Sequence, residues 1–211
     1  RSLEVGVKDL EEYIKYLETH KDTELSFLIS SLTTHTTEFF RDSEHFDDLL
    51  RNILPGAIQR REPIRIWSAA CSTGEEVYSL AMAVSEFLDR TPGGRGYPWE
   101  ILGTDVDPKS VEKARQGVYP VASLQRINPA LFARYFDAGT GELAHLARAK
   151  ERIWKHCRFE TYNLLLDRPR EKDWTSIFVR NVFIYFKPDD IQRVAKALAS
   201  TMVPSGRVYL G

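Results

Sequence analysis

The residues best suited to chemistry directly follow a short apolar run. Ile64-Arg65-Ile66-Trp67 gives way to Ser68-Ala69-Ala70-Cys71-Ser72-Thr73-Gly74, and Glu75-Glu76 then begins an apolar helical pattern. A buried strand that turns sharply into a helix is where an open α/β sheet binds nucleotide-like ligands. We therefore interpret residues 64–76 as a strand, a binding turn and the start of a helix.

This turn is a poor match for a phosphate group. It contains one glycine, Gly74, whereas dinucleotide-binding turns use Gly-x-Gly-x-x-Gly, and the chain has no Gly-Lys-Ser/Thr loop. Glu75 and Glu76 also place negative charge at the helix start, where a phosphate would otherwise bind. The turn favours a ligand with a cationic end, such as the ammonium and sulfonium groups of S-adenosylmethionine.

A second acidic residue supports a nucleoside site. Asp105 ends the next predicted strand, which runs through Ile101-Leu102-Gly103-Thr104. A carboxylate at that position can accept hydrogen bonds from both ribose hydroxyls. The alternative acid is Asp107, but its place before Pro108 is typical of a helix cap.

The composition limits the class of protein. The chain is 43% hydrophobic and 28% charged with a net charge of -1, which argues against nucleic-acid or membrane binding driven by bulk charge. No apolar run has the length of a membrane span. Cys71 and Cys157 lie far apart without metal-ligand spacing, so we expect no disulfide, no metal site and a reducing cytoplasm.

The elements that must position these residues change character near residue 60. One helix is predicted from a single apolar stripe: Leu3, Val7, Leu10, Ile14 and Leu17. A later helix is predicted from Phe46, Leu49, Leu50 and Ile53, and Pro55-Gly56 is expected to end it. We predict a helical subdomain over residues 1–60.

Residues 61–211 alternate strands and helices, which predicts an α/β domain with a mostly parallel sheet. One stretch breaks that rhythm. Gly139-Thr140-Gly141 indicates a turn and residues 152–162 resemble a strand, so we expect a small antiparallel β insertion at about residues 137–160.

Four motifs together resemble the CheR family of bacterial chemotaxis receptor methyltransferases. Trp67 to Ser79 resembles the family's nucleotide-binding turn. Thr33 to Arg41 resembles its Asn-x-Thr-x-Phe-Phe-Arg element, with His35 in place of the asparagine. Gly103-Thr104-Asp105-Val106-Asp107 resembles its second strand, and Arg180-Asn181-Val182-Phe183-Ile184-Tyr185-Phe186 resembles its Arg-Asn-Val-x-Ile-Tyr-Phe signature.

The resemblance implies a Rossmann-like class I methyltransferase sheet with an N-terminal helical subdomain. It implies transfer of a methyl group from S-adenosylmethionine to glutamate side chains on the cytoplasmic helices of chemoreceptors, with S-adenosylhomocysteine as product. The β insertion corresponds to a subdomain that docks a receptor-tail peptide in some members. The resemblance implies cofactor contacts from His35, Thr37, Arg41, Glu75, Asp105, Asn163, Leu164, Arg180 and Asn181.

Two residues are expected to act in the reaction. Arg41 could bind the cofactor carboxylate through a bidentate, charge-assisted hydrogen bond. Tyr185 lies just past a predicted buried strand, where its hydroxyl could position the acceptor carboxylate. A glutamate is ionised at neutral pH, so the reaction needs no general base.

Substrate choice is expected to depend on local charge. Five basic residues stand against the single acid Glu151 between residues 143 and 159: Arg148, Lys150, Arg152, Lys155 and Arg158. A basic face over the cleft would attract acidic receptor helices.

Two alternatives stay open from the sequence. One is a catalytically weak S-adenosylmethionine-binding module that signals, for which the exchange at His35 is the argument. The other is a methyltransferase that acts on another protein or on a small molecule.

Overall fold

The structure is a computed structural model that describes residues 2–21, 24, 28, 30 and 37–211. Its strands are β1 (Ile64–Ala69), β2 (Trp99–Asp105), β3 (Val118–Pro120), β4 (Phe136–Ala138), β5 (Leu146–Ala149), β6 (Cys157–Thr161), β7 (Trp174–Val179) and β8 (Met202–Leu210). Its α-helices are α1 (Ser2–Val5), α2 (Leu10–Thr19), α3 (Ser43–Asp48), α4 (Leu54–Gln59), α5 (Glu75–Arg90), α6 (Pro108–Gln116), α7 (Pro129–Tyr135), α8 (Glu151–Trp154) and α9 (Pro188–Ala199).

A parallel sheet of five strands forms the centre of the fold, in the order β6-β2-β1-β7-β8. The chain moves outward from β1 through β2 to β6, then crosses to β7 on the other side of β1. Ligands of open α/β sheets bind where the strand order reverses, outside the carboxyl ends of the strands. The topology therefore places a crevice between the ends of β1 and β7.

Both faces of this sheet are buried, which is why its strands are apolar on both sides. Ile66 belongs to a core shared with α5 and the N-terminal helices, whereas the next residue, Trp67, belongs to a core shared with α9. Successive side chains of a strand point to opposite faces, so this alternation fixes the register of β1.

A second, antiparallel sheet has the order β3-β5-β4. It confirms that an antiparallel insertion exists, but the expected bounds of about 137–160 are wrong. The sheet spans residues 118–149, because Val118–Pro120 supplies its first strand. Cys157–Thr161 instead pairs in parallel with β2 in the main sheet, so the strand-like pattern there belongs to the central sheet.

The N-terminal helices also differ from the sequence pattern. The single stripe from Leu3 to Leu17 is split into α1 and α2, because Gly6 has a φ of 75° and Asp9 caps α2 through the backbone N–H of Glu12. Pro55 does not end its helix. A π-helical turn over Leu49–Ile53 leads into α4, and proline is tolerated in the first turn of a new helical segment because its missing N–H is not needed there.

The later N-terminal residues share the core of the sheet. Phe39, Leu49 and Leu54 are fully buried and pack in the same cluster as Ile66 and Phe178. The division of the chain into residues 1–60 and 61–211 stays a prediction.

Within the described part of the chain, every helix is too short or too polar to cross a membrane.

Candidate functional site

A cavity of about 360 Å³ opens at the carboxyl ends of the parallel strands. It is lined by residues that follow β1, β2, β6 and β7, together with residues 37, 38 and 41 from before α3. The structure brings these predicted site residues to its wall: Thr37, Arg41, Asp105, Asn163, Leu164, Arg180, Asn181 and Tyr185. Glu75 does not line it, and His35 lies outside the described residues.

The turn after β1 has a strained backbone that is held by the neighbouring strand. Ala70 and Ser72 have φ values of 87° and 49°. The N–H groups of Ala70 and Cys71 both donate to the carbonyl of Thr104, each at 2.8 Å. Residues held in left-handed conformations against their preference concentrate at binding sites. The turn is therefore fixed by β2 before any ligand arrives.

Gly74 is required where this turn meets α5. Its φ is 95°, and a Cβ added there would lie 2.8 Å from both the Ala114 Cβ and the Tyr119 hydroxyl. That hydroxyl donates to the carbonyl of Thr73 at 2.8 Å. Only glycine satisfies both the backbone angle and the close approach.

Asp105 is held rigidly in the pocket. One carboxylate oxygen accepts from the N–H of Ser72 at 2.8 Å and the other from the N–H of Asp107 at 3.0 Å. Its side chain is buried, so its charge acts in a weakly screened environment. Asp107 caps α6 by accepting from the N–H groups of Lys109 and Ser110, which confirms the helix-cap interpretation.

The two glutamates at the start of α5 have different roles. The Glu75 carboxylate accepts from the Thr73 hydroxyl at 2.7 Å and stays out of the cavity wall. Glu76 lines the cavity, and its carboxylate accepts from the Ser68 hydroxyl at 2.7 Å. Burial raises the pKa of Glu76, while the nearby positive charge of Arg180 opposes that shift. Glu76 therefore lines the cavity and Glu75 does not, and the predicted cofactor contact of Glu75 stays a prediction.

Arg180 directly follows β7 and its side chain is only 4% exposed. Its guanidinium donates to the Glu76 carboxylate at 2.9 Å, to the Arg41 carbonyl at 2.7 Å and to the Asp42 carboxylate at 2.5 Å. The hydrogen bond from Arg180 is the largest cause that lowers the pKa of Asp42. The arginine thus ties the sheet, α5 and the segment before α3 together beneath the pocket.

The far wall of the pocket is less polar and more open. Asn163 accepts from the N–H of Leu165 at 2.9 Å, while its own N–H donates to Asp167 at 2.7 Å. Tyr185 lies in a 3₁₀ turn after β7 and is 63% exposed, so it is not part of the core. Its side chain is therefore open to solvent at the edge of the cavity.

The cavity wall also contains a cysteine thiol. Cys71 lines the cavity, but burial raises the pKa of its thiol, so it stays protonated. The described residues contain no group of His, Cys, Asp and Glu side chains that could hold a metal ion.

The predicted basic face is largely paired and does not surround the pocket. Arg152 pairs with Asp89, Arg158 with Glu160 at 2.8 Å, and Lys150 with Asp137 at 3.4 Å. Arg152 and Lys155 line a separate groove beside Trp99, the first residue of β2, whereas Asp105 ends that strand. A strand of this length separates the two by about 20 Å. The expectation of a basic face over the cleft is therefore wrong for these two residues.

The predicted contacts did not include three residues around the pocket: Ser72, Glu76 and Asp42. Glu76 was recognised as part of the acidic helix start, but the resemblance assigned the contact to its neighbour Glu75, and the register of a helix start cannot be read from sequence to within one residue. Asp42 follows the Phe-Phe-Arg element, but its partner Arg180 lies 138 residues further along the chain. No local pattern could have joined that pair.

Comparisons with known proteins identify the relatives of this chain. The family described as "CheR methyltransferase, SAM binding domain" matches residues 35–211. A chemotaxis protein methyltransferase of Salmonella typhimurium is 33% identical over 214 residues, which cover 98% of this chain and 70% of the relative. Chemotaxis protein methyltransferase 2 of Pseudomonas aeruginosa is 37% identical over 206 residues, which cover 95% of this chain and 70% of the relative.

Proposed function

The chain belongs to the CheR methyltransferase family and is an S-adenosylmethionine-dependent methyltransferase of chemotaxis, and we propose that the cavity at the ends of β1, β2 and β7 is its cofactor site. Relatives of this kind imply chemoreceptors as substrates, and glutamate side chains are the target known for the family. One observation carries the assignment of the site. Glu76, Asp105 and Arg41 line the same cavity. The cavity therefore contains both negative and positive side chains, which a zwitterionic nucleoside requires.

The residues present fit this cofactor. We assign the ribose hydroxyls to Asp105, the ammonium group to Glu76 and the cofactor carboxylate to Arg41, which can bind it through two parallel hydrogen bonds. The hydroxyl oxygen of Ser72 is buried at the cavity wall and has no hydrogen-bond partner among the described residues. Buried polar atoms are rarely left unpaired, so this hydroxyl is a further candidate contact.

The bound cofactor supplies a methyl group activated by a sulfonium centre. Transfer to a glutamate forms one O–C bond and breaks one S–C bond, and no proton moves because the acceptor carboxylate is already ionised at neutral pH. The protein must therefore hold the two reactants in line and exclude water. Such alignment can supply about 7–11 kcal/mol of the barrier reduction.

Tyr185 and the basic Arg41 complete the proposed arrangement. Tyr185 is exposed at the cavity rim, where its hydroxyl can donate to one oxygen of the incoming glutamate. That hydrogen bond would leave the other oxygen to attack. Arg41 holds the cofactor end and reduces repulsion between the acceptor carboxylate and the acids of the site.

We also propose that the antiparallel sheet contacts the receptor. Its outer strands β3 and β4 each pair with β5 on one side only, so each leaves one row of backbone groups for an added strand. A receptor-tail peptide is the partner that we propose there. Substrates on cytoplasmic receptor helices make the cytoplasm the proposed location.

The test is product analysis with labelled cofactor. The protein is incubated with methyl-labelled S-adenosylmethionine and a chemoreceptor cytoplasmic fragment, and the labelled fragment is then treated with base. We expect base-labile label that is released as methanol, because glutamate methyl esters hydrolyse readily. Glutamine in place of the acceptor glutamates should abolish labelling.

Two enzyme variants complete that experiment. Asp105→Asn should lose labelling and cofactor binding, whereas Asp47→Asn should keep both, because Asp47 pairs with Arg51 on the surface, 61% exposed. Base-stable label, or label on a small molecule alone, would refute the proposed reaction.

A further inference from the structure

The segment Phe39–Asp42 reaches the pocket in a conformation that its residues do not prefer. Phe40 and Asp42 both have left-handed backbone angles, with φ values of 54° and 51°. Such angles are uncommon for residues other than glycine and, although aspartate tolerates them, a bulky residue such as Phe40 adopts one only when its surroundings enforce it. Arg41 lies between these two residues and projects from this segment into the cavity wall.

Three anchors enforce that conformation. The ring of Phe39 is fully buried in the main core. The N–H of Phe40 donates to the Ser79 hydroxyl at 2.9 Å, and that hydroxyl donates to the Glu75 carbonyl at 2.7 Å. At the other end, Arg180 donates to the carbonyl of Arg41 and to the carboxylate of Asp42.

The anchor at Asp42 is the one that carries charge. The same guanidinium that binds Asp42 also binds Glu76, so its position depends on two carboxylates from different segments of the chain. Asp42 belongs to the segment before α3, and Glu76 belongs to α5. A change at Asp42 would therefore alter both the path of Arg41 and the partner of Glu76.

We propose that Asp42 is a positioning residue that acts through Arg180 to set Arg41 and Glu76 against the amino-acid end of the cofactor. This inference rests on the proposed cofactor site and deepens it. Asp42 does not touch the ligand. It fixes the distance between the cationic and anionic groups that bind the ligand's carboxylate and ammonium.

Two ligands distinguish this role from a general structural one. S-adenosylhomocysteine has the amino-acid end, whereas 5′-methylthioadenosine has the same nucleoside and sulfur without it. In Asp42→Asn we expect the Kd for S-adenosylhomocysteine to rise about tenfold or more, the effect of losing one charge-assisted hydrogen bond. The Kd for 5′-methylthioadenosine should change less than about twofold.

The controls use residues of the same chain. Asp42→Glu keeps the carboxylate. The Asp42 side chain is 38% exposed, so its position can accept a longer side chain, and this variant should recover most of the affinity for S-adenosylhomocysteine. Asp47→Asn removes an equal charge from the neighbouring surface and should bind both ligands like the wild type. Asp105→Asn should weaken both ligands, since its carboxylate is assigned to the ribose.

Isothermal titration of all variants decides the question. Equal weakening of both ligands in Asp42→Asn, or no weakening of either, would overturn the positioning role. Failure of the wild-type protein to bind S-adenosylhomocysteine would instead refute the proposed cofactor site. The two failures are therefore told apart by the wild-type titration alone.

Discussion

Gly74→Ala tests the geometry of the binding turn more sharply than any change to a charged residue. Two penalties meet at this position. The φ of 95° lies in the left-handed region, and an added Cβ would lie 2.8 Å from the Ala114 Cβ and 3.1 Å from the Ala114 Cα. The second contact is with backbone, which cannot move aside as a flexible side chain can.

The chain contains glycines that separate these penalties. Gly93 has a φ of 75° with nothing within 4 Å of an added Cβ, so Gly93→Ala measures the backbone angle alone. A left-handed residue costs about 1–2 kcal/mol, and the lower entropy of the unfolded chain offsets about 0.4–1 kcal/mol. Gly103→Ala measures crowding alone, because its added Cβ would lie 2.8 Å from a Val77 methyl group and 2.9 Å from the Phe159 ring.

Crowding of a packed site costs about 1–3 kcal/mol. Gly74→Ala combines both effects and, after the same entropy offset, should lower the free energy of unfolding by about 1–4.5 kcal/mol. In a chain of this size that corresponds to a Tm lower by about 2–4 °C per kcal/mol. Gly93→Ala should lie near the wild type and Gly103→Ala between the two.

Urea denaturation followed by circular dichroism gives the three free energies, and titration with S-adenosylhomocysteine gives the effect on the site. Gly74→Ala should also weaken binding, because the turn carries Ser72 and places Glu76. A Gly74→Ala protein no less stable than Gly93→Ala would show that the close approach to Ala114 and Tyr119 is wrong.

Three further changes test separate parts of the site. Burial raises the pKa of Glu76, so wild-type affinity for S-adenosylhomocysteine should fall as the pH is lowered through a value above the pKa of an ordinary glutamate, since the neutral carboxyl no longer attracts the ammonium. Glu76→Gln should bind weakly at every pH. If the affinities of the wild type and of Glu76→Gln changed with pH in parallel, the assignment would be contradicted. Tyr119→Phe removes the hydrogen bond to Thr73 and should cost about 0.5–1.5 kcal/mol in urea denaturation; unchanged stability would show that this bond contributes nothing. Arg148→Glu reverses an exposed charge on β5 and should slow methylation of a receptor fragment at low salt while cofactor affinity stays constant. If the variant methylates the fragment at the same rate at low and at high salt, the antiparallel sheet does not attract the receptor.

Much of the fold followed from local pattern. The strand-turn-helix from Ile64 to Glu76, the strand that ends at Asp105 and the cap at Asp107 were all legible, because strand burial and capping depend on residues close in sequence. The insertion was misplaced because the composition of Cys157–Thr161 identifies it as a strand but does not show which strand it pairs with. Strand pairing is a long-range property that periodicity does not encode.

The candidate site shows the same division. Asp105 and Arg41 were assigned from sequence and line the cavity, because each follows a recognisable local element. That Glu76 and not Glu75 lines the cavity, and that Asp42 pairs with Arg180, both required the tertiary fold. Asp42 and Arg180 are 138 residues apart, so no local sequence pattern predicts that they pair.

The buried pair of Glu76 and Arg180 has a functional rather than a stabilising explanation. Removing two charges from water costs several kcal/mol for each ion, and well-packed apolar residues of similar volume often stabilise a fold as well or better. The Glu76 side chain is 13% exposed and that of Arg180 is 4% exposed, so this cost is largely incurred here. Hydrogen bonds from Ser68 and Arg180 keep the carboxylate oriented at the cavity wall. A glutamate held there at such cost makes sense if its charge is needed by a cationic ligand, in agreement with the acidic start of α5, of which Glu76 is a part.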